Sequence, residues 1–365
     1  AHTKLCASRA FWLTAYPSQG HEMLFDAHAK AFAALGGVPQ RGIYDNMKTA
    51  VDRVLQGKKR KINSRFEAMT GHYLFEPEFC NVASGWEKGI VEKNVRDRRA
   101  SIWYRVKDKR WTDWAQLNDW LAVQCKQAWS ELNHPDYPAM KVADALQDEQ
   151  TQLMPVPRPF DGYVELLARV SSTSLIHLER NRYSVPTEHA NSALSVRVYH
   201  DRIVVVAEGS FVASHSRCFE RDQTFYDWMH YISLVERKPG GLRNGAPFET
   251  LPTSLRQLQT ILLRRSGGDS VMAQVLAAVP VHGLEAVLVA VELALETDKP
   301  SGEHVLNILA RLKSQTPDAH LQTLGEAMAL QLAACLPLKL AQEPLANVDR
   351  YDDLRNLNHS NIQTR

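Results

Sequence analysis

The stretch GGVPQRGIYD, residues 36–45, marks a point where a helix ends and a short strand begins. Paired glycines are typical of a helix end, because glycine adopts the left-handed backbone conformation there without a steric penalty. The apolar spacing of residues 19–35 predicts the helix before them. RGIYD (41–45) predicts a short strand, and Asp45 stands at its end.

Strands and helices alternate on both sides of this stretch. The elements predicted here are a buried strand over 9–16, a helical turn over 46–54, an amphipathic helix over 63–74, an extended piece over 75–80, and a helix that begins after Ser84. Ser84 is a plausible N-cap for the last of these. The alternation predicts an α/β layer in which helices pack on a sheet.

The predicted secondary structure changes twice along the rest of the chain. A strong amphipathic helix over 113–133 is followed by a segment that ends in the Pro-rich MPVPRPF. Residues 163–219 alternate apolar and polar side chains, which predicts a small all-β barrel. Its turns are predicted around Arg180–Asn181, at His200–Arg202 and at Glu208–Gly209. Short apolar helices follow over 250–335. The predicted domains are 1–112 (catalytic), 113–160 (linker helix and Pro-rich linker), 161–225 (β-barrel) and 226–365 (helices and a polar tail).

The composition of the 365 residues is that of a globular protein, and no run of 18 apolar residues predicts a membrane span. The five cysteines form no C-x-x-C pair, so neither a zinc knuckle nor a disulfide framework is indicated, and a reducing cytoplasm fits best. The 14 histidines show no H-E-x-x-H spacing.

Basic residues are concentrated in two blocks, although the net charge is only +2. RVLQGKKRK (53–61) holds five basic residues and no acid, and residues 93–110 hold eight basic residues against two acids. Such blocks are the electrostatic footprint of a polyanion, and their pairing favours nucleic acid over a merely solubilising surface.

The second block begins on a predicted helix, GWEKGIVEKNVRDRR (85–99). Helical spacing places Lys88, Glu92, Arg96 and Arg99 on one stripe, whereas Glu87 points elsewhere. Glu92 could pair with its basic neighbours, or it could bind a metal ion beside phosphate-holding side chains. From spacing alone, Asp45 and Glu92 could equally be a turn residue and a surface residue.

Four stretches together resemble the IstA-type transposases of bacterial insertion sequences, which belong with the retroviral-integrase-like DDE recombinases. They are GGVPQRGIYDNMKTAV (36–51), RFEAMTGHYLFEPEFC (65–80), GWEKGIVEKNV (85–95) and NRYSVP (181–186). The resemblance runs from about residue 9 to about residue 225, and more weakly through the helical region.

The resemblance implies an RNase H-like catalytic core in which Asp45 is the second catalytic acid and Glu92 the third. Both would bind Mg²⁺ or Mn²⁺ in a two-metal site, for which carboxylate oxygens are suitable ligands. Trp86 departs from the Asn expected in that motif. The first catalytic Asp has no counterpart here, so we expect its strand, and a helix-turn-helix, upstream of Ala1, and a core incomplete at its N-terminus.

The implied function is DNA transposition: metal-dependent cleavage at the transposon ends, then transfer of the 3′-OH into target DNA. The implied partners are double-stranded DNA, further copies of the chain in a dimer or tetramer, and a AAA+ ATPase helper of the IstB type. The implied location is the bacterial cytoplasm, on the nucleoid when bound to DNA. Two alternatives remain at this point: a structure-specific nuclease of the same fold, and a non-catalytic DNA-bridging protein.

The residues expected to contact DNA all carry positive charge. They lie in the two blocks, on the predicted helix over 85–99 and on the barrel, which resembles the one in Mu-type transposases. They are Lys58, Lys59, Arg60, Lys61, Lys88, Arg96, Arg98, Arg99, Arg105, Lys107, Lys109, Arg110, Arg180, Arg182, Arg197 and Arg202. For each barrel arginine, a solvated surface position is an equal alternative.

Overall fold

The computed structural model describes residues 1–44, 51–54, 60–79, 102–156, 158–297 and 300–315, with 51–54, 60–62, 244 and 314–315 described by backbone alone. The chain divides into two compact units, Ala1–Ala277 and Ala278–Arg365. Among the helices in these ranges, none has both the length and the apolar character that a membrane span requires.

The N-terminal part of the first unit mixes short strands with helices. Its elements are β1 (His2–Lys4), β2 (Phe11–Leu13), α1 (His21–Leu35), β3 (Arg41–Tyr44), β4 (Val51–Val54), β5 (Arg60–Ile62), α2 (Ser64–Tyr73), β6 (Glu76–Phe79), α3 (Tyr104–Lys107), α4 (Trp114–Glu131) and α5 (Val142–Gln150). β1 and β2 pair antiparallel, as do β4 and β5, whereas β3 and β6 pair in parallel. The mixed α/β character predicted from the sequence is confirmed.

The end of α1 follows the paired-glycine prediction. Gly36 adopts a positive φ of 83°, and its amide donates to the carbonyl oxygen of Phe32 at 3.0 Å. This left-handed C-cap turns the chain toward β3, whose last residue is Tyr44. The helix predicted over 63–74 is also present as α2, where the Asn63 side chain accepts hydrogen bonds from two amides of the first turn.

The prediction of a helical turn over 46–54 is wrong for residues 51–54, which form β4. Val51 pairs with Ile62 and Val54 with Arg60 in an antiparallel ladder. β-branched residues favour such a ladder, and the partner strand supplies hydrogen bonds that an isolated turn lacks. Residues 45–50 lie outside the described residues.

A hydrophobic cluster joins β2 to α4, the helix predicted over 113–133. Asp113 caps α4 by accepting a hydrogen bond from the Gln116 amide at 2.8 Å. The Trp129 indole N–H donates to the carbonyl oxygen of Phe11 at 2.9 Å, and Leu121 is fully buried beside them. The amphipathic face of α4 therefore supplies the core of this region.

The Pro-rich segment predicted as a linker packs against α2. Phe160 donates its amide to the Tyr73 hydroxyl at 3.1 Å. The Arg65 guanidinium donates to the carbonyl oxygens of Asp161 and Tyr163 at 2.9 and 3.2 Å. The end of the segment and the residues that follow it are thus hydrogen-bonded to the helix. The domain boundaries predicted from the sequence stay predictions.

The β-rich part of the first unit consists of two small sheets. Its strands are β7 (Val164–Arg169), β8 (Leu175–Leu178), β9 (Asn181–Ser184), β10 (Ala193–Val198), β11 (Arg202–Ala207), β12 (Ser210–Ser216) and β13 (Thr224–Phe225). One sheet is antiparallel in the order β12-β11-β10-β7, and the other has the order β13-β9-β8. Both contribute to one core that contains Ile176, Tyr183, Val196 and Val205.

The tight turns lie close to where the sequence predicted them. Glu179 and Arg180 connect β8 to β9 with φ values of 50° and 69°, and Glu208 and Gly209 connect β11 to β12 with φ values of 50° and 82°. Two successive positive φ values are typical of the hairpin turns whose twist matches that of paired strands.

Helices follow the sheets. They are α6 (Ile232–Arg237), α7 (Gly241–Asn244), α8 (Thr253–Leu262) and α9 (Gly268–Ala277) in the first unit, and α10 (Val279–His282), α11 (Leu284–Leu295) and α12 (Gly302–Gln315) in the second. α8 buries Leu255, Leu258 and Leu262 along one face. In the second unit, α11 buries Val287 and Val291, again at a helical spacing.

Candidate active site and DNA-binding surface

The end of β3 is the structural reference point for the predicted active site. β3 runs parallel to β6, with Tyr44 opposite Phe79 at the carboxyl ends of both strands. Asp45 follows Tyr44 directly in the sequence, but Asp45 and Glu92 both lie outside the described residues. Their assignment as catalytic acids and metal ligands therefore stays a prediction.

The last residue of β3 is fixed by an aromatic cluster. The Tyr44 ring packs edge-to-face on Phe66, with ring centroids 5.1 Å apart, and lies near Phe75 and Phe79. Its hydroxyl lies 2.8 Å from Nε2 of His28 on α1. Burial raises the pKa of Tyr44 and keeps its hydroxyl neutral. The carboxyl end of β3 thus rests on a packed, hydrogen-bonded base.

Within the described ranges, no cluster of three or more His, Cys, Asp and Glu side chains is placed to hold a metal ion. The predicted ligands Asp45 and Glu92 are not part of those ranges. Their oxygens remain the donor type that Mg²⁺ and Mn²⁺ prefer.

The first basic block is described only in part. Arg60 and Lys61 belong to β5, so the block reaches into a two-stranded antiparallel ribbon. The predicted contact residues outside the described ranges are Lys58, Lys59, Lys88, Arg96, Arg98 and Arg99.

The basic residues around α3 form a compact exposed group. Arg105, Lys107, Lys109 and Arg110 are all exposed, on α3 or just after it. The Arg105 guanidinium and the Lys109 ammonium lie 5.9 and 5.1 Å from the centre of the Trp120 ring on α4. Cation–π attraction thus helps to hold both cations beside one indole on the exposed surface.

The four arginines of the sheets fall into two pairs. Arg180 lies in the β8–β9 turn and Arg182 on β9, and both are exposed. Arg197 and Arg202 instead lie over the rings of Tyr163 and Tyr199, with distances of 4.9 and 4.2 Å. Acids accompany the second pair, because Arg197 approaches Glu165 at 3.7 Å and Arg202 approaches Asp201 at 3.2 Å. The first pair is better placed to meet an anion.

Asn181, in the NRYSVP stretch, has a structural role that sequence reasoning missed. Its side-chain amide donates to the carbonyl oxygens of Cys218 and Glu220 at 3.0 and 2.8 Å, and its oxygen accepts from the Gln223 amide at 3.0 Å. The side chain is fully buried. A polar residue in the inward register of an alternating strand was the signal that could have revealed it.

Ser184, His230 and Asp227 lie close together in the same region, but their geometry indicates a structural role and not a catalytic one. Ser184 Oγ lies 2.8 Å from His230 Nδ1 and accepts from the Asp227 amide at 2.8 Å. Ser184 is fully buried, so no substrate can reach its hydroxyl. Burial lowers the pKa of His230 and opposes the charged form that a catalytic base must adopt.

The sequence did not predict a role for Arg217 either. It follows β12 on the side of the strand that carries buried Ala213, so its charge points inward and needs a partner. The guanidinium donates to Glu22 of α1 at 2.8 Å and to Glu179 at 2.6 Å. The alternation of β12 predicts the inward position, but nothing local in the sequence predicts the partner on α1.

Known proteins that are similar to this chain are transposases. The family of the Mu transposase C-terminal domain matches residues 155–227, which include both small sheets. The transposase for insertion sequences IS1326/IS1353 of Pseudomonas aeruginosa is 52% identical over 362 residues, covering 97% of this chain and 68% of that protein. A transposase of Aminobacter aminovorans is also 52% identical, with the same coverage.

A more distant relative extends the comparison. The transposase for insertion sequence element IS21 of Pseudomonas aeruginosa is 31% identical over 218 residues, which is 58% of this chain. These relatives favour transposition over the nuclease and DNA-bridging alternatives. The chain belongs to the IstA-type transposases of bacterial insertion sequences, and it is a DNA transposase.

Proposed function

We propose that the chain performs transposition by DDE-type phosphoryl transfer, with Asp45 and Glu92 as the second and third catalytic acids of an RNase H-like core. The observation that carries this is the position of Asp45 in the sequence, directly after β3, whose neighbour β6 is parallel. Open sheets of parallel strands bind ligands beyond the carboxyl ends of those strands. The presence of α1 and α2 beside β3 and β6 in the sequence supports an α/β arrangement of this kind.

Glu92 is proposed from its motif, G-x-x-K-G-x-V-E, and from the basic stripe around it. A carboxylate that neutralises a metal ion and basic residues that neutralise phosphate are needed side by side in phosphoryl transfer on DNA. Glu87 lies in the same predicted helix but lacks the position in the motif, so we assign it no role in the chemistry.

Asp45 and Glu92, with an acid not yet identified, would hold Mg²⁺ or Mn²⁺. When bound, two such ions activate the attacking oxygen and stabilise the leaving oxygen of an in-line displacement. In the first reaction water attacks the phosphodiester at the transposon end and leaves a 3′-OH there. In the second, that hydroxyl attacks a phosphodiester of the target and displaces one of its oxygens.

The basic groups of this chain serve to hold DNA for both reactions. The 53–61 block and the exposed cations around α3 would bind phosphates without reading the sequence. The two small sheets, which share one core, would form the predicted barrel and contact DNA through Arg180 and Arg182. The match to the Mu transposase C-terminal domain supports the barrel assignment.

The domain organisation and the partners belong to the same proposal. The catalytic region would span 1–112, the linker 113–160, the barrel 161–225 and the helical region 226–365. A dimer or tetramer would bridge the two transposon ends, since cleavage and joining must be coordinated between them. A AAA+ ATPase helper of the IstB type would select the target.

A joining assay tests the proposal. The protein is incubated with labelled transposon-end DNA, unlabelled target DNA and Mg²⁺, and the products are separated on a denaturing gel. Joined product is expected with Mg²⁺, none with a chelator, and none from an Asp45→Asn variant that binds DNA normally. Cleavage without joining would indicate a nuclease instead, and full activity of Asp45→Asn would overturn the site assignment.

A further inference from the structure

Arg217 connects three parts of the molecule through one buried guanidinium. Its side chain is 3% exposed, and it forms a bidentate pair with Glu179 at 2.6 and 3.1 Å. It also donates to the carbonyl oxygen of Tyr199 at 2.8 Å, at the end of β10. These three contacts hold the two small sheets to each other.

The fourth contact crosses to another part of the first unit. Arg217 Nη1 lies 2.8 Å from Glu22 Oε1, and the Glu22 side chain is only 7% exposed. Glu22 lies in the first turn of α1. A buried charge without its partner is strongly unfavourable, so this pair favours one arrangement of the sheets on α1 over any that separates them.

Neighbouring contacts are consistent with a fixed arrangement. Phe25 packs edge-to-face on Phe160 with ring centroids 5.4 Å apart. Gly162 passes so close to α1 that a Cβ there would lie 2.5 Å from the Cβ of Phe25. Asp26 accepts from the Tyr16 hydroxyl at 2.6 Å and approaches His200 at 3.6 Å. The segment that enters the sheets is therefore packed directly on α1.

We propose that Arg217 is a positioning residue: through Glu22 it fixes the small sheets on α1 and thereby sets where bound DNA lies relative to Asp45. The docking of the small sheets on α1 is supported by contacts within the protein itself, without DNA. Its consequence for DNA rests on the proposed function, because it requires the sheets to bind DNA and Asp45 to act in catalysis.

Glu22→Gln and Glu179→Gln are the matched pair of variants that tests the docking. Each removes one carboxylate charge from Arg217, but only Glu22 lies across the interface. Arg217→Gln is less suitable, since it leaves two acids without their partner and can prevent folding. Hydrogen exchange of the whole chain is measured without DNA, comparing the backbone amides of 158–163 and α1 with those of α4.

Glu22→Gln should speed exchange in 158–163 and at the start of α1 by about tenfold, because the docked state is weakened locally. Exchange in α4 should stay unchanged. Glu179→Gln should leave the interface amides protected, since the Glu22 pair remains. Equal exchange in Glu22→Gln and the wild type, or faster interface exchange in Glu179→Gln than in Glu22→Gln, would overturn the docking role.

The second measurement is the position of cleavage at the transposon end, mapped to the nucleotide. The wild type and Glu179→Gln should cut at one phosphodiester, whereas Glu22→Gln should spread its cuts over neighbouring positions. A purely structural effect would lower the yield without moving the cut, and that result would overturn the positioning role. If the wild type cuts no transposon end at all, the proposed function fails, while the exchange experiment still decides the docking.

Discussion

The hydroxyl of Tyr44 lies 2.8 Å from Nε2 of His28, and Nδ1 of the same ring lies 2.7 Å from the carbonyl oxygen of Leu24. A carbonyl oxygen only accepts, so Nδ1 carries the proton and Nε2 accepts from the hydroxyl. Burial lowers the pKa of His28, although the hydrogen bond to Leu24 opposes that shift. The neutral ring therefore connects the end of β3 to α1.

This pair makes stability depend on pH. Because the pKa of His28 is lower in the folded protein, the unfolded chain binds more protons below pH 6.5, the ordinary value. The thermal midpoint should fall as the pH drops from 7.5 to 5.5, and each unit of pKa lowering corresponds to about 1.4 kcal/mol. His28→Gln should reduce this fall, whereas the control His177→Gln, at an exposed position, should keep it. Identical pH profiles for His28→Gln and the wild type would contradict the assignment.

Glu92→Gln should abolish strand transfer and leave DNA binding intact. The amide keeps the shape of the side chain but binds a divalent cation more weakly than a carboxylate does. A fall of several orders of magnitude in joined product is expected, since metal-assisted stabilisation supplies much of the rate enhancement. DNA affinity, measured by gel shift, should stay the same or rise, because one negative charge near phosphate is lost.

Glu87→Gln is the matched control, because it makes the same change five positions earlier on another face of the predicted helix. It should retain near-normal joining. Equal losses in both variants would remove the basis for choosing Glu92.

The block Lys58, Lys59, Arg60 and Lys61 should contribute phosphate contacts without sequence preference. Replacing all four residues by Ala should weaken binding to transposon ends and to random DNA alike. The log–log dependence of affinity on salt should become shallower by about 0.9 for each lost phosphate contact. Titrations at four or more salt concentrations measure this slope, and an unchanged slope would show that the block is only solvated.

Asn181→Asp should destabilise the small sheets although it changes one atom. The new oxygen would face the carbonyl oxygens of Cys218 and Glu220, which now accept hydrogen bonds from the side-chain amide. The expected loss of unfolding free energy is about 2–4 kcal/mol, measured by chemical denaturation. A protein that keeps its full stability with Asn181→Asp would contradict this account.

The neighbouring residue Arg182 is exposed. Arg182→Gln should therefore keep the stability of the protein and lower the salt slope of DNA binding by about 1.

Local signals in the sequence were sufficient for much of the fold. α1 is marked by its apolar spacing and its terminal glycines, and α4 by its apolar face. The turns at Glu179–Arg180 and Glu208–Gly209 lie near those that alternation predicted. Each of these features depends on residues within a few positions of one another, which is the range that periodicity reports.

Features that depend on distant residues could not be read in this way. β4 is a strand because β5 pairs with it, and Arg217 is satisfied by Glu22, which lies 195 positions away. For the candidate site, residue types alone left Asp45 and Glu92 open to structural interpretations, and the resemblance to transposases was needed to choose between them. Both assignments remain predictions.

The connections between strands also determine the order in which the small sheets can form. β10, β11 and β12 are joined by short turns, so closing their contacts costs little chain entropy and should occur early. β9, in contrast, pairs in parallel with β13, whose Thr224 lies opposite Arg182. During synthesis, one edge of β9 therefore stays unpaired after the strand has left the ribosome, until about forty further residues have been added. Slow translation of this stretch would prolong the exposure of that edge, which makes it the segment where misfolding and aggregation of the newly made transposase should begin.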